Sequence, residues 1–223
     1  MSSLQDPHAA EPVLTLGPPP ERARIAMILA HGRGASAEDI LGLAAELHLD
    51  DVAFLAPQAA GRTWYPYSFL TPMEKNEPGL SSALGVLDRL VASLGKQGLP
   101  PERVGLLGFS QGACLSLEYA ARHARRYAAV IGLSGGLIGP PGTPRTYPGS
   151  CAGTPVFVGC SDIDPHIPLE RVQETAEVFR RLGADVDERI YRGMGHTVNE
   201  DEIRAVQRIL RGIETSEVVG NPP

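Results

Sequence analysis

Short apolar runs of strand length, separated by longer amphipathic segments, constrain this chain more than any other feature of it. The runs lie at 25–30 (IAMILA), 52–57 (VAFLAP), 103–109 (RVGLLGF), 128–134 (AAVIGLS) and 155–160 (PVFVGC), with a weaker alternating stretch at 186–191. Runs apolar at nearly every position suit strands covered on both faces, the condition of a mostly parallel sheet layered with helices. Helices are expected near 37–48, 79–95, 111–124, 169–182 and 199–212, with Ser36 capping the first and Pro168 opening the fourth. Six strands therefore alternate with helices as βα units, and VLTLG from Val13 is a candidate antiparallel edge.

At 223 residues and 43% hydrophobic content, the chain has enough apolar material for one full α/β core. The ends read as frayed: 1–12 is polar and without periodicity, and 215–223 resembles it, leaving 13–214 as the domain. A formal net charge of -6 leaves no basic stripe for nucleic acid or an anionic membrane. No stretch approaches the roughly 18 apolar residues of a membrane span, and no basic, apolar leader opens the chain. Three irregularly spaced cysteines make neither a disulfide framework nor a zinc site, so a reducing cytoplasm is the expected compartment. No metal or cofactor is called for. A homodimer is left open.

The sharpest chemical signal is Gly108-Phe109-Ser110-Gln111-Gly112, between the run VGLLGF and the helical ACLSLEYAARHA. A serine on a strand-to-helix elbow is lifted above the sheet, and the glycines let the two backbones pass closely. A bare hydroxyl is a poor nucleophile at neutral pH, so a base and an orienting carboxylate must follow, in the order Ser, Asp, His. His196 meets the first need, in the glycine-rich turn YRGMGH between the last strand and the last helix. Asp164 meets the second, just beyond PVFVGC at the C-terminal edge of the sheet, with Asp162 as its rival. His166 is the rival base, but it precedes the last strand. His8, His48 and His123 read as surface residues, and His31 as a loop histidine bonded to backbone.

A developing oxyanion needs N–H donors. The turn His31-Gly32-Arg33-Gly34 after the run IAMILA and the residue following the nucleophile supply them, which assigns the backbones of Arg33 and Gln111. Trp64 and Tyr65, with Tyr67, Phe69 and Leu70, sit in a long loop and are candidates for the wall of an acyl pocket. Cys114 falls one turn past the serine and reads as buried core.

HGRG at 31–34, LAPQ and RTWYP within 55–66, GFSQG at 108–112, LSGG at 133–136, DPHIP at 164–168 and GMGH at 193–196 resemble, in order and spacing, the phospholipase/carboxylesterase family of small α/β-hydrolases. The resemblance covers most of the chain. It implies a single-domain α/β-hydrolase fold with helices on both faces of the sheet, carries the family's triad onto Ser110, Asp164 and His196, and carries its oxyanion amides onto Arg33 and Gln111. Acyl-protein thioesterases resemble one another in H-G-x-G-D and W-F-D, whereas Ala35 follows HGRG here and Tyr65-Pro66 follows Trp64. The reading is a serine carboxylesterase acting on short to medium acyl chains, since the Pro/Gly-rich interval from 134 to 155 is too short for a cap domain. The alternatives are a thioesterase or lysophospholipase for long chains, and a noncatalytic ligand-binding protein on the same fold.

Overall fold

The computed structural model describes residues 6–213. Its sheet has seven strands: β1 (Val13–Leu16), β2 (Ile25–Ala30), β3 (Val52–Pro57), β4 (Val104–Phe109), β5 (Val130–Leu133), β6 (Pro155–Ser161) and β7 (Asp185–Tyr191). Their order is β1-β3-β2-β4-β5-β6-β7, with β1 antiparallel to β3 and every other pair parallel. The helices are α1 (Ala37–Ala45), α2 (Gly79–Lys96), α3 (Gln111–Arg122), α4 (Leu169–Arg181) and α5 (Glu200–Arg211).

The two-residue period of a strand sorts the core into two layers. In β2, Ile25, Met27 and Leu29 join Ile40 of α1 and Val206 of α5 on one face. Ala26, Ile28 and Ala30 join Leu87 of α2, Leu117 of α3 and Phe179 of α4 on the other. This double cover is why the strands read as continuous apolar runs. Ser36 caps α1 through a box with Asp39: the Asp39 N–H donates to Ser36 Oγ at 3.3 Å, and the Ser36 N–H to Asp39 Oδ2 at 2.8 Å. Pro168 stands at the N-cap position of α4.

From β2 the chain steps to β3 and then returns across β2 to β4, so connections leave β2 and β4 in opposite directions. Such a switch point opens a crevice at the C-terminal strand ends, where ligands bind in open α/β sheets. The turn at 31–34 and Ser110 both lie at this edge. Between β5 and β6 no helix or strand intervenes, and Leu137, Ile138 and Cys151 of this stretch are buried against the core.

The start of the chain corrects one expectation. His8 is 4% exposed, not a surface residue of a frayed segment. Its Nε2 lies 2.9 Å from the Trp64 carbonyl oxygen, its Nδ1 accepts from the Ala60 N–H at 3.0 Å, and its own N–H donates to Ser82 Oγ at 3.1 Å. Asp6 adds an ion pair with Arg89 at 2.9 Å. The tail 215–223 lies outside the described residues. His48 and His123 are exposed, as expected. Among the described residues no helix is long and apolar enough to cross a membrane.

Candidate active site

Ser110 joins β4 directly to α3 with φ 56° and ψ -119°, a left-handed conformation that a side chain rarely adopts. The turn is held by the Ser110 N–H, which donates to the Leu133 carbonyl at 2.9 Å. The flanking glycines have a steric reason. A Cβ on Gly112 would overlap the Ala30 carbonyl, and one on Gly108 would overlap the Gly112 backbone.

His196 arrives from the loop between β7 and α5. Its Nε2 lies 2.8 Å from Ser110 Oγ and its Nδ1 lies 2.7 Å from Asp164 Oδ2. The Asp164 side chain is fully buried, and its Oδ1 accepts the N–H groups of His166 at 2.8 Å and Ile167 at 3.1 Å. Burial opposes its charge, but the hydrogen bonds from His196 and these two amides outweigh it and hold the carboxyl below the usual carboxylate range. An ionised carboxylate only accepts, so Nδ1 carries the ring proton and Nε2 is left to accept from the Ser110 hydroxyl. That arrangement draws a proton from a serine as it attacks.

The rivals are placed elsewhere. Asp162 is exposed, and its Oδ1 accepts the Gly193 N–H at 2.8 Å, bracing the loop that carries His196. His166 packs edge-on to His196 at 4.9 Å between ring centroids, within the site but with neither ring nitrogen on the serine. His31 is buried, with Nδ1 2.8 Å from the Gly32 carbonyl and Nε2 accepting from the Ala59 N–H at 3.1 Å. Burial lowers its pKa, and those contacts suit a neutral ring with the proton on Nδ1.

Gln111 and Arg33 both border the cavity in front of Ser110, as two oxyanion donors must. The Gln111 N–H opens α3, where first-turn amides have no acceptor within the helix. The turn bearing Arg33 passes close to Ser110: a Cβ on Gly32 would lie 3.4 Å from Ser110 Cβ. The Gln111 side chain has a second task that its motif position did not announce. Its Oε1 accepts from the Trp64 N–H at 2.9 Å and its Nε2 donates to the Tyr65 carbonyl at 2.8 Å, tying the 63–65 loop to the elbow.

The cavity measures about 550 Å³, within the range of small-molecule sites. Tyr65, Tyr67 and Phe69 line it, but Trp64 and Leu70 do not. Trp64 is wholly buried because its Nε1–H donates to the His31 carbonyl at 2.8 Å and its ring packs on His31 at 5.0 Å. It supports the loop from beneath. Ser68, His166 and Ile167 also border the space, and neither composition nor spacing singled out Ser68 or Ile167 for it. Cys114 touches the cavity, yet burial pushes its thiol up to about 12, which keeps it protonated and non-nucleophilic at neutral pH.

A mostly parallel sheet with a serine on the elbow after β4, and a histidine and carboxylate on the loops after β7 and β6, defines an α/β-hydrolase. Within that class the chain belongs to the phospholipase/carboxylesterase family, whose profile matches residues 16–213. A phospholipase/carboxylesterase from Dyadobacter fermentans has a crystal structure that is 44% identical and superposes with a TM-score of 0.87, covering 90% of this chain and 97% of that one. An acyl-protein thioesterase 1 of Gibberella zeae is 34% identical over 120 residues. That match spans 51% of this chain and 49% of the relative, about half of each. An acyl-protein thioesterase 1 of Candida albicans is 26% identical over 214 residues, 86% of this chain and 93% of that protein.

Proposed function

We propose that this hydrolase is a serine carboxylesterase for short- to medium-chain esters, working through an acyl-enzyme on Ser110. The observation that carries the reading is the bridge made by His196, 2.8 Å from Ser110 Oγ and 2.7 Å from Asp164 Oδ2. His196 takes the serine proton as Oγ adds to the ester carbonyl, and Asp164 stabilises the imidazolium. The N–H groups of Arg33 and Gln111 receive the oxyanion. The imidazolium then protonates the departing alcohol, and a water activated by the same ring releases the acid.

The substrate size follows from the walls. A cavity of about 550 Å³, with no helical element between β5 and β6 to roof it, leaves a long acyl tail in water. Each CH₂ so exposed forgoes about 0.8 kcal/mol, so specificity stops improving once the tail outgrows the pocket. A series of p-nitrophenyl esters tests this: kcat/KM should rise over short chains and level or fall beyond the medium ones. A steady climb to palmitate would overturn the chain-length reading in favour of a lipid-directed enzyme.

Thioesters are the second reading, favoured by the relatives named acyl-protein thioesterase. The same nucleophile serves both, and matched oxygen and thio esters of one acid distinguish them. We place the enzyme in the cytoplasm, a reading supported by its three buried free thiols, Cys114, Cys151 and Cys160.

A further inference from the structure

Arg33 differs from those arginines of this acidic chain whose charge is neutralised. Arg24, Arg89, Arg122, Arg180, Arg189 and Arg204 each pair with a carboxylate. Among the described residues Arg33 pairs with none within 4 Å, although it borders the active-site cavity. Its guanidinium is nevertheless fixed. Nη1 donates to Thr63 Oγ1 at 3.0 Å and to the Pro66 carbonyl at 2.8 Å, and Nη2 donates to the Tyr67 carbonyl at 2.6 Å. All three acceptors are uncharged, so the positive charge is held in place without being neutralised. A guanidinium has five N–H donors, and these bonds use three.

Among the described residues no aspartate or glutamate lines the cavity. The nearest functional carboxylate, Asp164, stands behind His196 with its side chain fully buried and committed to the His196 ring and two amides. In a chain of net charge -6, the described acids thus stay out of this cavity and a fixed cation stands at its edge. Because the side chain is already ordered, little further entropy is lost when it meets an anion.

We infer that Arg33 is a specificity-determining residue that selects esters carrying an anionic group, carboxylate or phosphate, near the scissile bond. The inference rests on the esterase reading above and narrows it. The residue fits half-esters of dicarboxylic acids, where the charge is on the acyl half, and esters of phosphate-bearing alcohols, where it is on the leaving half. A charge-assisted contact of this kind favours the anion by roughly tenfold or more at low salt, and less as salt screens an exposed cation.

The test compares kcat/KM for matched pairs. On the acyl side the pair is the p-nitrophenyl half-ester of adipic acid and its terminal amide. On the alcohol side it is 2-acetoxyethyl phosphate and the uncharged 2-acetoxyethyl methyl ether. In at least one pair the anion should win by about tenfold, and the ratio should fall towards one in Arg33→Gln while Arg33→Lys retains part of it. The pair that responds identifies which half carries the charge. Ratios near one in both pairs would overturn the inference, as would an Arg33→Gln ratio equal to that of wild type. If Arg33→Lys lost the ratio as fully as Arg33→Gln, the guanidinium would be a clamp for the 63–67 loop and nothing more. Should wild type hydrolyse none of the four, the esterase reading fails and binding decides alone. Calorimetry on Ser110→Ala with monomethyl adipate and its amide should then show anion preference lost on adding Arg33→Gln, and equal binding or none would end the proposal.

Discussion

Replacing Glu202 by glutamine should change how stability depends on pH, because this carboxylate is buried with only half of its acceptor capacity used. Glu202 is the third residue of α5 and closes a capping box with Asn199: its N–H donates to Asn199 Oδ1 at 3.0 Å, and its Oε2 accepts the Asn199 N–H at 2.9 Å. Its Oε1 is buried without a hydrogen-bond partner among the described residues, pressed against the place where a Cβ on Gly159 would be. Burial raises the carboxyl from its ordinary 4.5 to about 7, against the opposing hydrogen bond from the Asn199 backbone. Below pH 4.5 both folded and unfolded chains hold this proton and nothing is lost. Between 4.5 and 7 the unfolded chain releases a proton that the fold retains, so stability declines as pH rises, and above about 7 the whole penalty stands. Its upper size is about 3 kcal/mol. Glu202→Gln keeps an acceptor for the Asn199 N–H and cannot ionise. Whatever fixed cost its amide adds, the stability gap between variant and wild type should move in the variant's favour by roughly 2–3 kcal/mol from pH 4.5 to pH 8. Urea unfolding at half-unit pH steps measures this, with equal m-values as the control. A constant gap across that range would refute the reasoning.

Asp164→Asn should cost about 10⁴ in kcat, by analogy with the worked serine-protease case of a carboxylate fixing the histidine tautomer, whereas Asp162→Asn, which keeps an acceptor for the Gly193 N–H, should cost less than tenfold. Reversed effects in steady-state kinetics would reassign the acid. Trp64→Ala should lose about 3–5 kcal/mol of stability in denaturant unfolding while leaving the order of preferred chain lengths intact, since the ring lies under the cavity and not in it. Phe69→Ala, which enlarges the cavity itself, should move the optimum towards longer acids in the p-nitrophenyl series. Iodoacetamide at pH 7.5 should leave Cys114 unmodified in folded protein and alkylate it in urea, because burial holds the thiol near 12; rapid alkylation of the native state, read by peptide mass, would contradict this.

The strands were legible because parallel strands covered on both faces leave unbroken apolar runs, as in β2 and β3, where all six residues are buried. The elbow was legible because Gly108 and Gly112 answer to steric contact with local backbone. Where the reading slipped, long-range hydrogen bonds made the decision. Trp64 is drawn inward by a bond to a carbonyl 33 positions earlier, and His8 is buried by partners at Trp64, Ala60 and Ser82, so no local pattern marks either. The choice between Asp164 and Asp162, two positions apart on one turn, is made by geometry: the amides of His166 and Ile167 turn Asp164 inward, while Asp162 faces the Gly193 amide at the surface. The side chain of Arg33 went unread because its loop partners at 63, 66 and 67 come near it only in the fold.

The most direct test of the central claim, that Ser110 is a nucleophile driven by His196 and Asp164, is the site and rate of covalent modification by a fluorophosphonate. The account predicts one adduct per chain, mapped by peptide mass to Ser110. The adduct should be absent in Ser110→Ala and formed at least a hundredfold more slowly in His196→Ala, since loss of the base leaves the hydroxyl a weak nucleophile. Stoichiometric labelling of Ser110→Ala at another residue, or an unchanged rate in a folded His196→Ala protein, would contradict it.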